Sequence, residues 1–90
     1  MESISKKESG VISLAEDNVH FGGMNLNYRL LVCTGGSLLR FRIHVCKDSE
    51  FDEVDVGTDL ARALAYYQSI VCGIVTPCTL KEVLHELQYA

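Results

Sequence analysis

The sequence predicts an α+β domain: an antiparallel β-meander of three to four strands with two C-terminal helices packed on one face. Three observations support this fold class. Two Gly-Gly pairs, Gly22-Gly23 and Gly35-Gly36, separate runs of strand-favouring residues, as in tight hairpins. Beyond residue 57 the apolar residues recur at helical spacing. The single proline, Pro77, divides this helical part into two segments.

The chain has the size and composition of one small domain. Its 90 residues lie near the lower end of the usual range for a domain, and 48% of them are hydrophobic, which is enough for a core. Residues 1–9 are polar and show no periodicity. This pattern predicts a disordered tail ahead of a single domain over residues 10–90.

The second Gly pair allows a strand register to be predicted. A two-residue loop at Gly35-Gly36 pairs residues 24–33 with residues 38–46. One face of the hairpin is then entirely apolar, and a slip of one residue would scatter its members over both faces. The pairs on this face are Leu26–Val45, Tyr28–Ile43, Leu30–Phe41 and Val32–Leu39. The other face is mixed and mostly polar, with the pairs Asn27–His44, Arg29–Arg42, Leu31–Arg40 and Cys33–Leu38.

Two further strands are predicted to flank the hairpin. The turn at Gly22-Gly23 brings a preceding strand alongside, with Val19 opposite Leu26. A fourth short strand is predicted in EFDEVDV, where Val54 and Val56 alternate with acidic residues. The sheet then has four strands in sequence order.

The first helix is predicted near residues 58–72. Its apolar residues fall at helical spacing, and Thr58 or Asp59 can serve as the N-cap. Gly73 follows the last turn, where a glycine commonly takes the left-handed conformation.

The second helix is predicted near residues 79–88. It opens with Thr79-Leu-Lys-Glu82, the pattern of a capping box. Pro77 cannot continue a helix and disfavours helical geometry at Thr76. The proline therefore sets the turn between the two helices, which is a structural role.

Four features follow one another along the chain. They are the strand Tyr28-Arg-Leu-Leu31, the hairpin, the first helix and the segment Val75-Thr-Pro-Cys-Thr-Leu-Lys-Glu-Val83. In this order, over roughly residues 18–87, they resemble a family of short bacterial proteins known only as a domain of unknown function. The chain departs from that family at Phe41-Arg42-Ile43, where Tyr-Gly-Ile is expected. The resemblance implies a cytoplasmic bacterial protein with an α+β fold, and it brings no activity and no catalytic residue.

Charge and hydropathy argue against several classes of function. The net charge of −4 and the pI near 5.2 are unusual for a general binder of nucleic acid or anionic membranes. No apolar run approaches the length of about 18 residues that spans a bilayer, and the N-terminus lacks the pattern of a signal peptide. We therefore expect a cytoplasmic protein whose four cysteines are reduced.

No catalytic, cofactor-binding or metal-binding site is predicted. The cysteine spacings fit no zinc motif. The nearest cluster is His20, His44 and Cys46, and the predicted meander places His20 and Cys46 two strands apart. Both Gly pairs lie in hairpin turns and neither precedes a helix, so no phosphate loop is present. We expect a protein that is not an enzyme.

The favoured function is a small protein-interaction module whose partner is either another protein or a second copy of the chain, as a homodimer. Tyr66, Tyr89 and Leu31 have no evident place in the predicted core, and aromatic residues are enriched at interfaces. In the alternative interpretation, Tyr66 and Tyr89 cover the seam between the helices and the sheet.

The second candidate function is binding of single-stranded nucleic acid or another anion by the sheet face that carries Arg29, Arg40, Arg42 and His44. Arg29 and Arg42 are predicted to be directly opposed, and like charges in that position need compensation. The predicted face offers no aromatic residue for base stacking. Alternatively, the protein neutralises these arginines itself, with the acidic residues Glu50, Asp52, Glu53 and Asp55.

Overall fold

The computed structural model of the chain describes residues 10–34 and 38–89, and it confirms the predicted α+β fold. Four antiparallel strands form one sheet in the order β1-β2-β3-β4, and two helices follow. The elements are β1 Val11–Phe21, β2 Met24–Cys33, β3 Arg40–Lys47, β4 Glu50–Gly57, α1 Leu60–Cys72, a 3-10 turn Pro77–Thr79 and α2 Leu80–Tyr89. The predicted disordered tail, residues 1–9, lies outside the described residues.

The β1–β2 hairpin has the predicted register. Val19 lies opposite Leu26, and the chain turns at Gly22 and Gly23 with φ angles of 58° and 82°. Glycine is the residue that adopts such positive φ angles without steric cost. The register shifts once, at a β-bulge between Ser13 and Ala15.

The predicted register of the β2–β3 hairpin is wrong by two residues. Tyr28 lies opposite Val45, and Arg29 lies opposite His44 and not opposite Arg42. The hairpin ends at the pair Cys33–Arg40, so its connection is longer than a two-residue turn at Gly35-Gly36, which lies outside the described residues. A shift of two residues keeps every side chain on its predicted face, because the period of a strand is two. The alternation therefore predicts the faces, and only the loop length sets the pairing.

The core lies between one face of the sheet and the two helices. We call this face the helix-covered face and the opposite one the open face. Leu30 and Phe41, both predicted in the core, are 0% and 5% exposed, whereas Leu39, also predicted there, is 52% exposed. The buried residues are Leu26, Tyr28, Leu30, Val32, Phe41, Ile43, Val45 and Val56 from the sheet, and Ala63, Tyr67, Ile70, Val75, Leu80 and Leu84 from the helical part.

Helix α1 begins as predicted and ends differently. The side chain of Asp59 accepts hydrogen bonds from the backbone N–H groups of Ala61 and Arg62, at 2.9 and 3.3 Å, and so caps the first turn. Gly73, predicted in the left-handed conformation, has a φ of −83°. Ile74 takes that conformation instead, with a φ of 52°, and its N–H group bonds the carbonyl of Val71. This turn directs Val75 into the core.

Pro77 begins a 3-10 turn that precedes α2, and the helix itself begins at Leu80. Pro77 is buried at the first position of the 3-10 turn, where its missing N–H group costs no hydrogen bond. Thr79, predicted as the N-cap of the second helix, lies inside this turn, and its hydroxyl donates to the carbonyl of Thr76 at 3.3 Å. The predicted capping box is therefore replaced by a tighter turn that leads directly into Leu80.

Two tyrosines tie the helical part to the sheet. The hydroxyl of Tyr28 donates to the carbonyl oxygen of Val75 at 3.0 Å, across the core. The hydroxyl of Tyr67 lies 2.8 Å from a carboxylate oxygen of Asp17 and 3.1 Å from the carbonyl oxygen of Tyr28. Strand β1, strand β2, helix α1 and the α1–α2 connection are thus linked by two buried phenol rings.

Candidate interaction surfaces

The open face of the sheet carries all four residues of the predicted anion-binding face. Arg29 lies in the middle of β2, and Arg40, Arg42 and His44 follow one another along β3. The side chains of the three arginines are about half exposed, at 47%, 54% and 46%. The structure therefore brings these residues onto one surface, in contact with the acidic residues of both neighbouring strands.

Each of the three arginines is ion-paired with a carboxylate. Arg40 makes a bidentate contact with Asp55, at 2.8 and 2.9 Å. Arg42 donates to Glu53 at 2.9 Å, and the Nε of Arg29 lies 3.5 Å from a carboxylate oxygen of Glu16. Three positive and three negative charges thus neutralise one another on this face.

The arginines lower the pKa of their partners on β4. The hydrogen bond from Arg42 is the main cause of the lowered pKa of Glu53, which also accepts from His44 at 3.1 Å. The hydrogen bond from Arg40 is the main cause of the lowered pKa of Asp55. Partial burial opposes both shifts without cancelling them. Both carboxylates are therefore charged at neutral pH and hold the arginines against β4.

The sequence predicted only some of these acidic partners. Glu53 and Asp55 do face the arginines, whereas Asp52 lies on the helix-covered side, 3.9 Å from the amino group of Lys81. Glu16 was missed as the partner of Arg29. The signal was present, because the correctly predicted β1–β2 register places Glu16 directly opposite Arg29.

An aromatic ring also lies on the open face, contrary to the prediction. Phe51 of β4 lies opposite Cys46 and stacks on the imidazole of His44, with ring centroids 5.4 Å apart. Its side chain is 66% exposed. The strand was predicted correctly, but no register against β3 was predicted for it, so the face on which Phe51 lies was not assigned.

A cleft opens at the end of the sheet where the β1–β2 and β3–β4 turns lie. Its volume is about 470 Å³, which falls within the range of small-molecule sites. The lining residues are Asn18, Val19, His20, Asn25, Leu26, Asn27, Cys46 and Asp48. The cleft is polar, with three carboxamides, an imidazole and a thiol among these groups.

The cysteines and histidines do not gather at one point. All four cysteines are free, and Cys72 and Cys78 are exposed. In the part of the chain that the structure describes, no three side chains of His, Cys, Asp or Glu are placed to hold a metal ion. No helix among the described residues is long and apolar enough to cross a membrane.

Most of the exposed large apolar side chains lie at the other end of the sheet, around the start of β1, the start of β3 and the first turns of α1. We call this surface the apolar end. The side chains are between 38% and 66% exposed. The apolar end consists of Val11, Ile12, Leu14, Leu38, Leu39, Leu60 and Leu64. They share one end of the fold but not one face, since Val11 lies opposite Cys33 on the open face and Ile12 lies opposite Val32 on the helix-covered face. Exposed apolar side chains gathered in this way occur at protein–protein contact sites.

The three predicted interface residues lie elsewhere. Tyr66 is half-buried and packs against the core, in keeping with the alternative that it covers the seam between helices and sheet. Leu31 is half-buried on the open face, between Ser13 and Arg42. The side chain of Tyr89 lies outside the described part of the chain.

No protein-family model, no curated protein and no solved structure matches this chain. The resemblance to short bacterial proteins of unknown function therefore stays a prediction from the sequence.

Proposed function

We propose that this protein is a small non-enzymatic interaction module that forms a homodimer through its apolar end. The observation that carries the proposal is the concentration of seven exposed aliphatic side chains at one end of the sheet. They come from three separate parts of the chain, so the surface exists only in the folded protein. A cytoplasmic location stays a prediction from the sequence.

Association of two copies must offset the loss of rotational and translational freedom, which costs about 4–15 kcal/mol. Completing the burial of a half-exposed Leu, Ile or Val side chain contributes about 1 kcal/mol. Several side chains of the apolar end in each copy must therefore be covered together for the dimer to form.

The edge of β1 is not expected to join the two copies by strand pairing. Symmetric pairing along the whole strand would bring Glu16 opposite the same residue of the second copy, and like charges in that position repel. The bulge between Ser13 and Ala15 interrupts the edge. Asp17 also points a charge toward the helix-covered side, where Tyr67 binds it. Bulges and inward charges are the features that keep natural edge strands apart.

The decisive experiment is the molar mass in solution. Light scattering at tens of micromolar should give a mass near twice the 10.0 kDa of the chain. The double variant Leu38→Lys/Leu64→Lys places two charges in the apolar end and should give the monomer mass. Both side chains are exposed in the single copy, at 66% and 38%, so the fold should be kept.

Phe21→Lys is the matched control. Phe21 is 55% exposed, like the residues of the apolar end, but it lies at the opposite end of the sheet. The variant should keep the wild-type mass. A wild-type protein that stays monomeric at tens of micromolar would refute the proposal, as would equal loss of association in Phe21→Lys.

The ion pairs of the open face count against the anion-binding alternative. A phosphate would have to displace Glu53 from Arg42 and the bidentate Asp55 from Arg40. The net charge of −4 adds repulsion at long range. Binding of single-stranded nucleic acid through its phosphates is therefore the weaker of the two candidate functions.

A further inference from the structure

The cleft between the β1–β2 and β3–β4 turns contains an ordered row of neutral polar groups. Asn18 lies opposite Asn27, and His20 lies opposite Asn25, so the four side chains occupy adjacent positions on the open face. The carboxamide nitrogen of Asn27 donates both to Glu16 and to Asn18, each at 2.8 Å. These bonds fix the orientations of Asn27 and Asn18.

The bond between His20 and Asn25 fixes the tautomer of the histidine. The Nδ1 of His20 lies 2.5 Å from the carboxamide oxygen of Asn25. Since that oxygen can only accept, the bond requires an N–H group at Nδ1, and in the neutral tautomer that makes this bond Nε2 presents a lone pair. The cleft therefore holds a hydrogen-bond acceptor whose orientation is set by its neighbour.

Several hydrogen-bonding groups of this row have no partner among the described residues. The amino groups of Asn18 and Asn25 can donate, whereas the carboxamide oxygen of Asn27 and the Nε2 of His20 can accept. Donors and acceptors thus alternate over two neighbouring strands, which lie about 4.8 Å apart. The thiol of Cys46 is already bonded to the carbonyl oxygen of Asp48.

We propose that this cleft binds an unpaired nucleobase, with adenine the best match. Asn18 and Asn27 lie opposite one another, and between them they leave one amino group free to donate and one carboxamide oxygen free to accept. Adenine offers the complementary ring nitrogen next to an amino group. Phe51, opposite Cys46 at the border of the cleft, is exposed for a second base or a sugar to stack on it. Because the donor set is uncharged, recognition is directed at the base and not at a phosphate.

The base can be supplied by a free nucleoside or by single-stranded nucleic acid, and NMR titration distinguishes the two. Uniformly ¹⁵N-labelled protein is titrated with adenosine and, separately, with a short oligoadenylate. We expect adenosine to shift the side-chain amide signals of Asn18, Asn25 and Asn27, with little dependence on salt. If oligoadenylate binds more tightly and also shifts the Phe51 backbone amide, single-stranded nucleic acid is the source.

The variants Asn18→Asp and Asn25→Asp test the donors. Each keeps the oxygen that bonds Asn27 or His20 and removes the amino group, so affinity for adenosine should fall about tenfold or more. Gln68→Glu makes the same change of amide to acid at an exposed position of α1 and should bind like the wild type. The cleft lies at the opposite end of the sheet from the apolar end, so Leu38→Lys/Leu64→Lys should also bind normally.

Two results would overturn the proposal. One is the absence of any shift at the three carboxamides with both adenosine and oligoadenylate. The other is a set of NMR shifts that is confined to Arg29, Arg40 and Arg42, appears with oligoadenylate but not with adenosine, and weakens steeply with salt. Such shifts would identify a phosphate site on the arginines.

Discussion

The hydroxyl of Tyr28 joins the centre of the sheet to the connection between the two helices, and its removal should destabilise the whole domain. Tyr28 is 0% exposed and donates to the carbonyl oxygen of Val75, itself 7% exposed, at 3.0 Å. Tyr28→Phe keeps the ring in the core and leaves that carbonyl oxygen without its partner. Leaving a buried polar group unsatisfied costs about 1–3 kcal/mol.

The effect is large enough to measure by urea and by thermal unfolding. For a domain of this size, a loss of 2 kcal/mol corresponds to a fall in Tm of about 10 °C. Tyr66→Phe is the control, because Tyr66 is half-buried and its hydroxyl has no hydrogen-bond partner among the described residues. We expect the control to change the free energy of unfolding by less than about 0.5 kcal/mol. Equal losses in the two variants would show that the bond to Val75 contributes nothing.

Three further predictions follow from the structure. Burial, and then the hydrogen bond to Asp17, raise the pKa of Tyr67 above its usual value. The stability that this adds is fully present below a pH of about 10 and is lost as the pH rises further, so urea unfolding should show a smaller alkaline loss of stability in Tyr67→Phe. Asp59→Ala removes the N-cap of α1 and should cost about 1 kcal/mol in urea unfolding, whereas Thr58→Ala should cost little; equal effects would contradict the assigned cap. Thiol titration of denatured protein purified without reductant should find four free groups, and a value of two would indicate a disulfide.

The sequence was sufficient for the faces of the sheet and for the pairing of β1 with β2, but not for the pairing of β2 with β3. Alternation along β2 and β3 assigns Tyr28 and Ile43 to the core and Arg29 and Arg42 to the open face, because a strand has a period of two. A register displaced by two residues satisfies the same alternation. The opposed arginines that were expected are therefore absent, and Arg29 faces His44.

The helix ends illustrate a second limit of the sequence. The N-cap was predicted to be Thr58 or Asp59, and it is Asp59; a cap can be predicted this closely because it is a local feature of one side chain and two nearby N–H groups. The left-handed residue was predicted at Gly73 and is found at Ile74, where the turn places Val75 in the core. Packing against the sheet decides this position, and propensity alone could not predict it.

The two candidate surfaces depend on contacts between distant parts of the chain. The apolar end combines residues from β1, the two residues before β3 and α1, and none of these segments has an unusual apolar pattern by itself. The cleft combines carboxamides from both strands of the first hairpin with Cys46 and Asp48. The predicted β1–β2 register, which is correct, places Asn18 opposite Asn27. The place of Cys46 beside them depends on the observed β2–β3 register, which the sequence did not predict.

The most direct test of the proposed dimer is to identify the atoms through which two copies meet. A sample is prepared by mixing ¹³C-labelled and unlabelled protein, and an isotope-filtered NOE experiment then detects contacts between copies only. We expect intermolecular signals from the methyl groups of Leu38, Leu39 and Leu64, with none from Leu31 on the open face. Absence of intermolecular signals at high concentration, or signals confined to the open face or to residues 17–21 of β1, would contradict the assignment of the apolar end as the interface.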